Sequence, residues 1–159
     1  MAEDQHPQSL PSKVKASYEK LVSAASELNA ASDRFAKLIV EINATLKPLN
    51  IGIPTFVQMG LRWSSDNARG YDEVGYAKES GKWGIVVRQV ELSTTSDEVE
   101  SAETWAFADG PRRLRLEAIE HLPKLLDELA RKAEKETNDI AKRSGELELF
   151  VAVLKESAK

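Results

Sequence analysis

Residues 119–154 read IEHLPKLLDELARKAEKETNDIAKRSGELELFVAVL. Within this stretch Ile119, Leu122, Leu126, Leu129, Ala133, Glu136, Ile140, Arg143, Leu147, Phe150 and Leu154 recur at alternating spacings of three and four. That spacing lines them along one face of an α-helix. A matching pattern runs near the other end of the chain through Val14, Tyr18, Leu21, Ala25, Leu28, Ser32, Phe35, Ile39, Ile42 and Leu46. Two long heptad helices therefore frame whatever lies between them.

The first helix is expected over residues 11–47. Ser9 or Ser12 can cap its free N–H groups, and Pro48 disfavours helical geometry in the residue before it. Such a helix is about 50 Å long, against a radius of gyration of about 15 Å for a compact domain of this length. It must form an elongated body or project towards a partner. The second helix is expected over residues 110–157. Asp109, Gly110 and Pro111 signal its start, and Pro123 should kink it. Residues 147–153 also carry Phe150, Val151 and Val153, so a strand competes with the helix there. Residues 1–10 read as a disordered polar tail.

Between the helices, residues 53–108 change period. Residues 55–59 form a plausible short strand. Residues 71–78 and 82–92 form the best hairpin, with Gly81 supplying the positive φ that a tight turn requires. Residues 93–103 read as an acidic loop, and residues 104–107 as a last short strand. Three or four antiparallel strands with one face against helices are expected, because a lone hairpin is barely stable in water. The fold class is thus α+β, a single domain over residues 11–159 in the order helix, small antiparallel sheet, kinked helix.

The two heptad patterns match when laid antiparallel with paired positions summing to 168. Tyr18 then faces Phe150, Leu28 faces Ile140, Phe35 faces Ala133 and Ile42 faces Leu126. Glu136 meets Ser32 and Arg143 meets Ala25, where a small side chain leaves room for the arginine stem to reach water. The positions flanking the first seam are mostly small and uncharged, among them Ala24, Ala31 and Ala36. Packed bundle helices suit such flanks better than a parallel dimer selected by charged pairs. The expected arrangement is an intramolecular hairpin of two long antiparallel-packed helices, with helices exchanged between subunits or a higher bundle as alternatives, and a register shifted by one heptad also keeps the faces matched.

The 159 residues are 42% hydrophobic and 30% charged, a globular rather than a disordered composition. The formal net charge of −4 argues against a general nucleic-acid binder. There are no cysteines, which removes thiol catalysis and thiolate metal sites and is compatible with a cytoplasmic location. No apolar run approaches the roughly 20 residues that a bilayer requires, so no membrane role is expected.

Candidate sites are few. Of the two histidines, His6 lies in the tail and His121 sits near Glu117 and Glu120, at the wrong spacing for a di-iron helix motif. No metal or cofactor is expected. Arg112, Arg113 and Arg115 cluster in the first turn of the second helix, where cations oppose the helix dipole. They either bind an anion or acidic partner or pair with the acidic residues of segment 91–103. Trp63, Trp83 and Trp105 fall in the β-rich region among Arg62, Arg69 and Arg88, a set that could stack a ligand or simply fill a core. Residues 60–70, with Trp63, Asp66 and Arg69, read as the loop best placed for function. Ser64 and Ser65 have no base or nucleophile elbow beside them, and no phosphate-binding glycine pattern is present. The expected function is a non-enzymatic protein-interaction or assembly module, with a protein partner or self-association. The alternative is a small-molecule or anion binder using the aromatic sheet and the Arg112, Arg113 and Arg115 helix start.

Overall fold

A computed structural model of the protein describes residues 9–96 and 98–158; the expected disordered stretch 1–8, and His6 with it, lies outside them. The chain divides into two units, residues 1–40 and 41–159. Helix α1 (Leu10–Leu46) belongs to the first unit up to residue 40. It begins directly after Ser9, whose carbonyl accepts the Lys13 N–H at 3.1 Å. Every residue from 10 to 31 in this helix is exposed.

The second unit opens with the last turns of α1. They end in a 3-10 turn at Lys47–Leu49 that contains Pro48, followed by Asn50 in the left-handed region at φ 48°. Four strands follow: β1 (Thr55–Ser64), β2 (Ala68–Glu79), β3 (Lys82–Ser93) and β4 (Val99–Ala106). They form one antiparallel sheet in sequence order. Ser80 and Gly81, both at positive φ, make the two-residue turn between β2 and β3. A 3-10 turn at Phe107–Asp109 leads into α2 (Arg112–Ser157). The α+β architecture and its element order are those expected from sequence.

Two expectations need correction. Residues 60–70 are not a loop: β1 continues to Ser64 and β2 begins at Ala68, which confines the connection to 65–67. The acidic segment is not all loop either, because β4 starts at Val99. An edge strand tolerates charges such as Glu100 and Glu103, which discourage pairing with another sheet. Residues 147–153 are helical, as expected over the strand alternative, within α2, which runs from Arg112 to Ser157 through Pro123. Pro123 is exposed, so its ring does not press into the sheet.

Part of the core lies between α2 and one face of the sheet, while Val86, Val90 and Ala77 are buried on the opposite face. Strand alternation places Val57, Val74, Val87 and Ile85 on a common face through the pairs Val57–Val74, Val74–Val87 and Tyr76–Ile85. Leu114, Ala118, Leu125 and Leu129 on α2 are buried, at spacings of four, seven and four that keep them on one helix stripe. Lys132 Nζ donates to the Pro54 carbonyl at 3.0 Å and ties the helix to the start of β1. At the sheet edge β4 ends opposite Val86, and the next β3 amide, Ile85 N–H, donates to Asn43 Oδ1 at 2.8 Å. A side chain from the end of α1 thus takes the place of a missing strand partner. Gly84 permits this approach, since a Cβ there would meet Asn43 Nδ2 at 3.0 Å.

Leu125 has no exposed surface and anchors the middle of the α2 stripe. Leu125→Ala is expected to cost about 2–5 kcal/mol by loss of burial and creation of a cavity. Thermal or urea unfolding checks this, and a cost below about 1 kcal/mol would contradict the described packing.

Candidate interaction surfaces

Asp72, in the middle of β2, is 3% exposed. Its position follows from strand alternation: it lies two residues before Val74 and pairs with Gln89 on β3, on the face covered by α2. A carboxylate buried there must be met by donors or charges. Arg113 Nη2 donates to its Oδ2 at 2.7 Å and Gln89 Nε2 to its Oδ1 at 3.1 Å. Arg62 Nε lies 3.8 Å from Oδ1, and its Nη2 lies 3.7 Å from Glu91 Oε1. Arg113 also donates to Glu117 at 3.1 Å. Two arginines from different elements therefore converge on one buried aspartate and link the start of α2 to β1, β2 and β3.

An irregularity in β1 makes this possible. Leu61 pairs with Tyr71 and Trp63 with Gly70, leaving Arg62 as the extra residue of a bulge. A bulge re-aims side chains, and here Arg62 and its neighbour Trp63 both lie beside Gly70. A Cβ at Gly70 would meet Trp63 Nε1 at 2.4 Å and Arg62 Nη2 at 2.9 Å.

The other residues singled out from sequence are placed as follows. Arg112 is exposed and Arg115 half-buried in the first turn of α2. The partner of Arg113 is a β2 residue rather than the acidic segment 91–103. Asp66 sits in the 65–67 turn, where its carbonyl accepts the Thr94 hydroxyl at 2.6 Å. Arg69 lies over the Tyr71 ring at 5.6 Å, and Arg88 over the Phe56 ring at 3.4 Å while paired with Glu73. Phe56 in turn covers Gly75, where a Cβ would meet the ring at 2.3 Å. Tyr76 and Trp83 stack at 5.5 Å. Three of the residues read as a possible stacking surface, Arg69, Arg88 and Trp83, thus stack on Tyr71, Phe56 and Tyr76.

A second surface begins where α2 leaves the sheet. Residues 134–157 are exposed without exception. The heptad seam continues through them, with Ile140 61%, Leu147 61%, Phe150 60% and Leu154 53% exposed. An open groove of about 410 Å³ marks the transition, lined by Leu49, Ile51, Pro54, Ala133, Thr137 and Ile140 among others. Nearer the sheet, Arg131 Nε donates to Glu128 at 2.9 Å. This hydrogen bond holds the Glu128 carboxyl below its ordinary range and the Arg131 guanidinium above its own. Among the described residues no helix is long and apolar enough to cross a membrane. Comparison of the chain with protein-family models, with curated proteins and with solved structures gives no match.

Arg113→Met should destabilise the protein by about 1–2 kcal/mol, because a buried carboxylate loses a charged donor. Calorimetry checks this. A triple alanine variant at 112, 113 and 115 that kept its melting temperature but lost a bound partner would instead assign these arginines to recognition.

Proposed function

We propose that this protein is a non-enzymatic interaction or assembly module whose recognition surface is its heptad seams. The observation that carries the reading is the seam on residues 134–157, apolar at Ile140, Leu147, Phe150 and Leu154 and exposed throughout. Helices in water form mainly because an amphipathic face is covered, and an isolated apolar stripe of this length marks an interaction site. The seam on residues 10–31 has the same character, with Tyr18 66% and Leu28 48% exposed.

In the finer form of this reading the two seams are complementary. Laid antiparallel with positions summing to 168, they place apolar residues opposite one another in every layer from Val14–Leu154 to Leu28–Ile140 except Ala25–Arg143. This register pairs residues 10–31 with residues 137–158, so most of each exposed stretch is opposite the other. The sheet with its aromatic residues and the Arg113–Asp72 pair then holds the base of α2. The anion-binding alternative draws less support, because Arg113 is engaged by Asp72 and Glu117. A cytoplasmic setting is compatible with the cysteine-free sequence.

The test combines light scattering of the purified protein with affinity capture from its native host. Association of the wild type with itself or with a stoichiometric partner is expected. Leu147→Asp with Phe150→Asp should abolish it and leave the melting temperature nearly unchanged, since both side chains are exposed. A wild-type monomer that captures nothing would contradict the reading.

A further inference from the structure

We infer that the seam on the last part of α2 packs antiparallel on the same seam of a second copy of this chain, with paired positions summing to 283. This rests on the reading of that seam as an association surface and adds the identity of the partner. Because α2 is one helix from Arg112 to Ser157, its seam meets itself only between two chains.

Charge selects this pairing. Glu136 and Arg143 are the charged residues on the seam between Ala133 and Leu154. In the register that sums to 168 they face Ser32 and Ala25, so neither meets an opposite charge. A charge closed into a seam without a partner loses its hydration with nothing to offset the loss. A parallel self-pairing is worse, since it sets Glu136 on Glu136 and Arg143 on Arg143. The antiparallel self-pairing gives the layers Ala133–Phe150, Glu136–Leu147 and Ile140–Arg143, each made twice about a two-fold axis. Glu136 of one copy then lies about 6 Å along the axis from Arg143 of the other, the offset of an i,i+4 ion pair. At the flanks Asp139 of one copy comes level with Glu146 of the other. Those two acids lie on the rim, where solvent screens them and charge pairs count for little.

Size selects the same register. Phe150 is the one aromatic residue on this part of the seam and Ala133 the smallest, and the pairing sets each on the other. Ala133 lines the open groove of about 410 Å³ together with Leu49, Ile51, Pro54 and Ile140. A Phe150 ring from the second copy enters this apolar groove beside Ala133, where burial of its area favours association. Near the helix end, Leu147, Leu149, Phe150, Val151, Val153 and Leu154 span an arc of about 200° at 3.6 residues per turn. That arc is wider than the stripe of a helix covered from one side only, so the self-pairing leaves a flank on which a 10–31 seam can also pack. A patch that meets its own copy closes at two chains.

Charge exchange tests the register. The unaltered protein, Glu136→Arg, Arg143→Glu and the double variant Glu136→Arg/Arg143→Glu are compared by light scattering over a range of concentrations. The unaltered protein is expected at twice 17.6 kDa. Each single variant sets like charges against each other and should weaken the dimer about tenfold or more. The double variant restores opposite charges and should recover most of that loss. An equimolar mixture of the two single variants should recover it as well, because each then finds its opposite charges on the other chain. Losses that add in the double variant, no recovery in the mixture, or a dimer indifferent to all the variants would overturn this register and keep the seam reading. A monomeric unaltered protein that captures a stoichiometric foreign partner would overturn the second copy and keep the seam as a binding surface. A monomer that captures nothing would overturn both.

Discussion

A helix of 46 residues is about 69 Å long, and the longest strands beneath it have 12 residues, about 40 Å. Whichever way α2 runs over the sheet, the sheet cannot cover it. The buried stripe from Leu114 to Leu129 spans only about 22 Å. Beyond it Lys132 and Ala133 are half-buried, and the heptad seam continues through residues 134–157, which are all exposed. The mismatch between the length of an apolar stripe and the area available to bury it organises the rest of the molecule. The sheet fixes one end of α2, and residues 134–157 are left exposed.

The fixed end is held by polar as well as apolar contacts. Val74 and Val87 pair and lie buried on the same sheet face as Asp72. Asp72 adds a buried carboxylate to that face, tolerable only because Arg113, Gln89 and Arg62 converge on it. Such a cluster adds little net stability over an apolar core but penalises misplacement of the helix start, since a shifted helix would leave the carboxylate without its arginine. The Arg62 bulge and Gly70 are its local requirements.

Much of this was legible in the residues. The heptads located both helices, Pro48 located the end of the first, and alternation with Gly81 located the central hairpin. The outer strands were harder. The second half of β1 bends through the bulge at Arg62, which breaks the period of two, and β4 is an edge strand whose Val-Glu-Ser-Ala-Glu sequence has the polarity of a loop. The partner of Arg113 was missed for another reason. Nearness in the chain favoured the acidic residues of 91–103, whereas the true partner lies 41 residues away. Its signal was present, because alternation with Val74 and Tyr76 places Asp72 on the core face, where an acid must find a cation. Whether the seams close within a chain or between chains depends on geometry beyond the heptad, and spacing alone leaves both open.

The account turns on the seams being covered by association. Amide hydrogen exchange of the unaltered protein, read by mass spectrometry at high and low concentration, addresses this most directly. Residues 10–31 and 134–157 should be protected together at high concentration and lose protection together on dilution, while the sheet amides of β2 and β3 stay protected throughout. Rapid exchange of both stretches at every concentration, with the sheet intact, would contradict it.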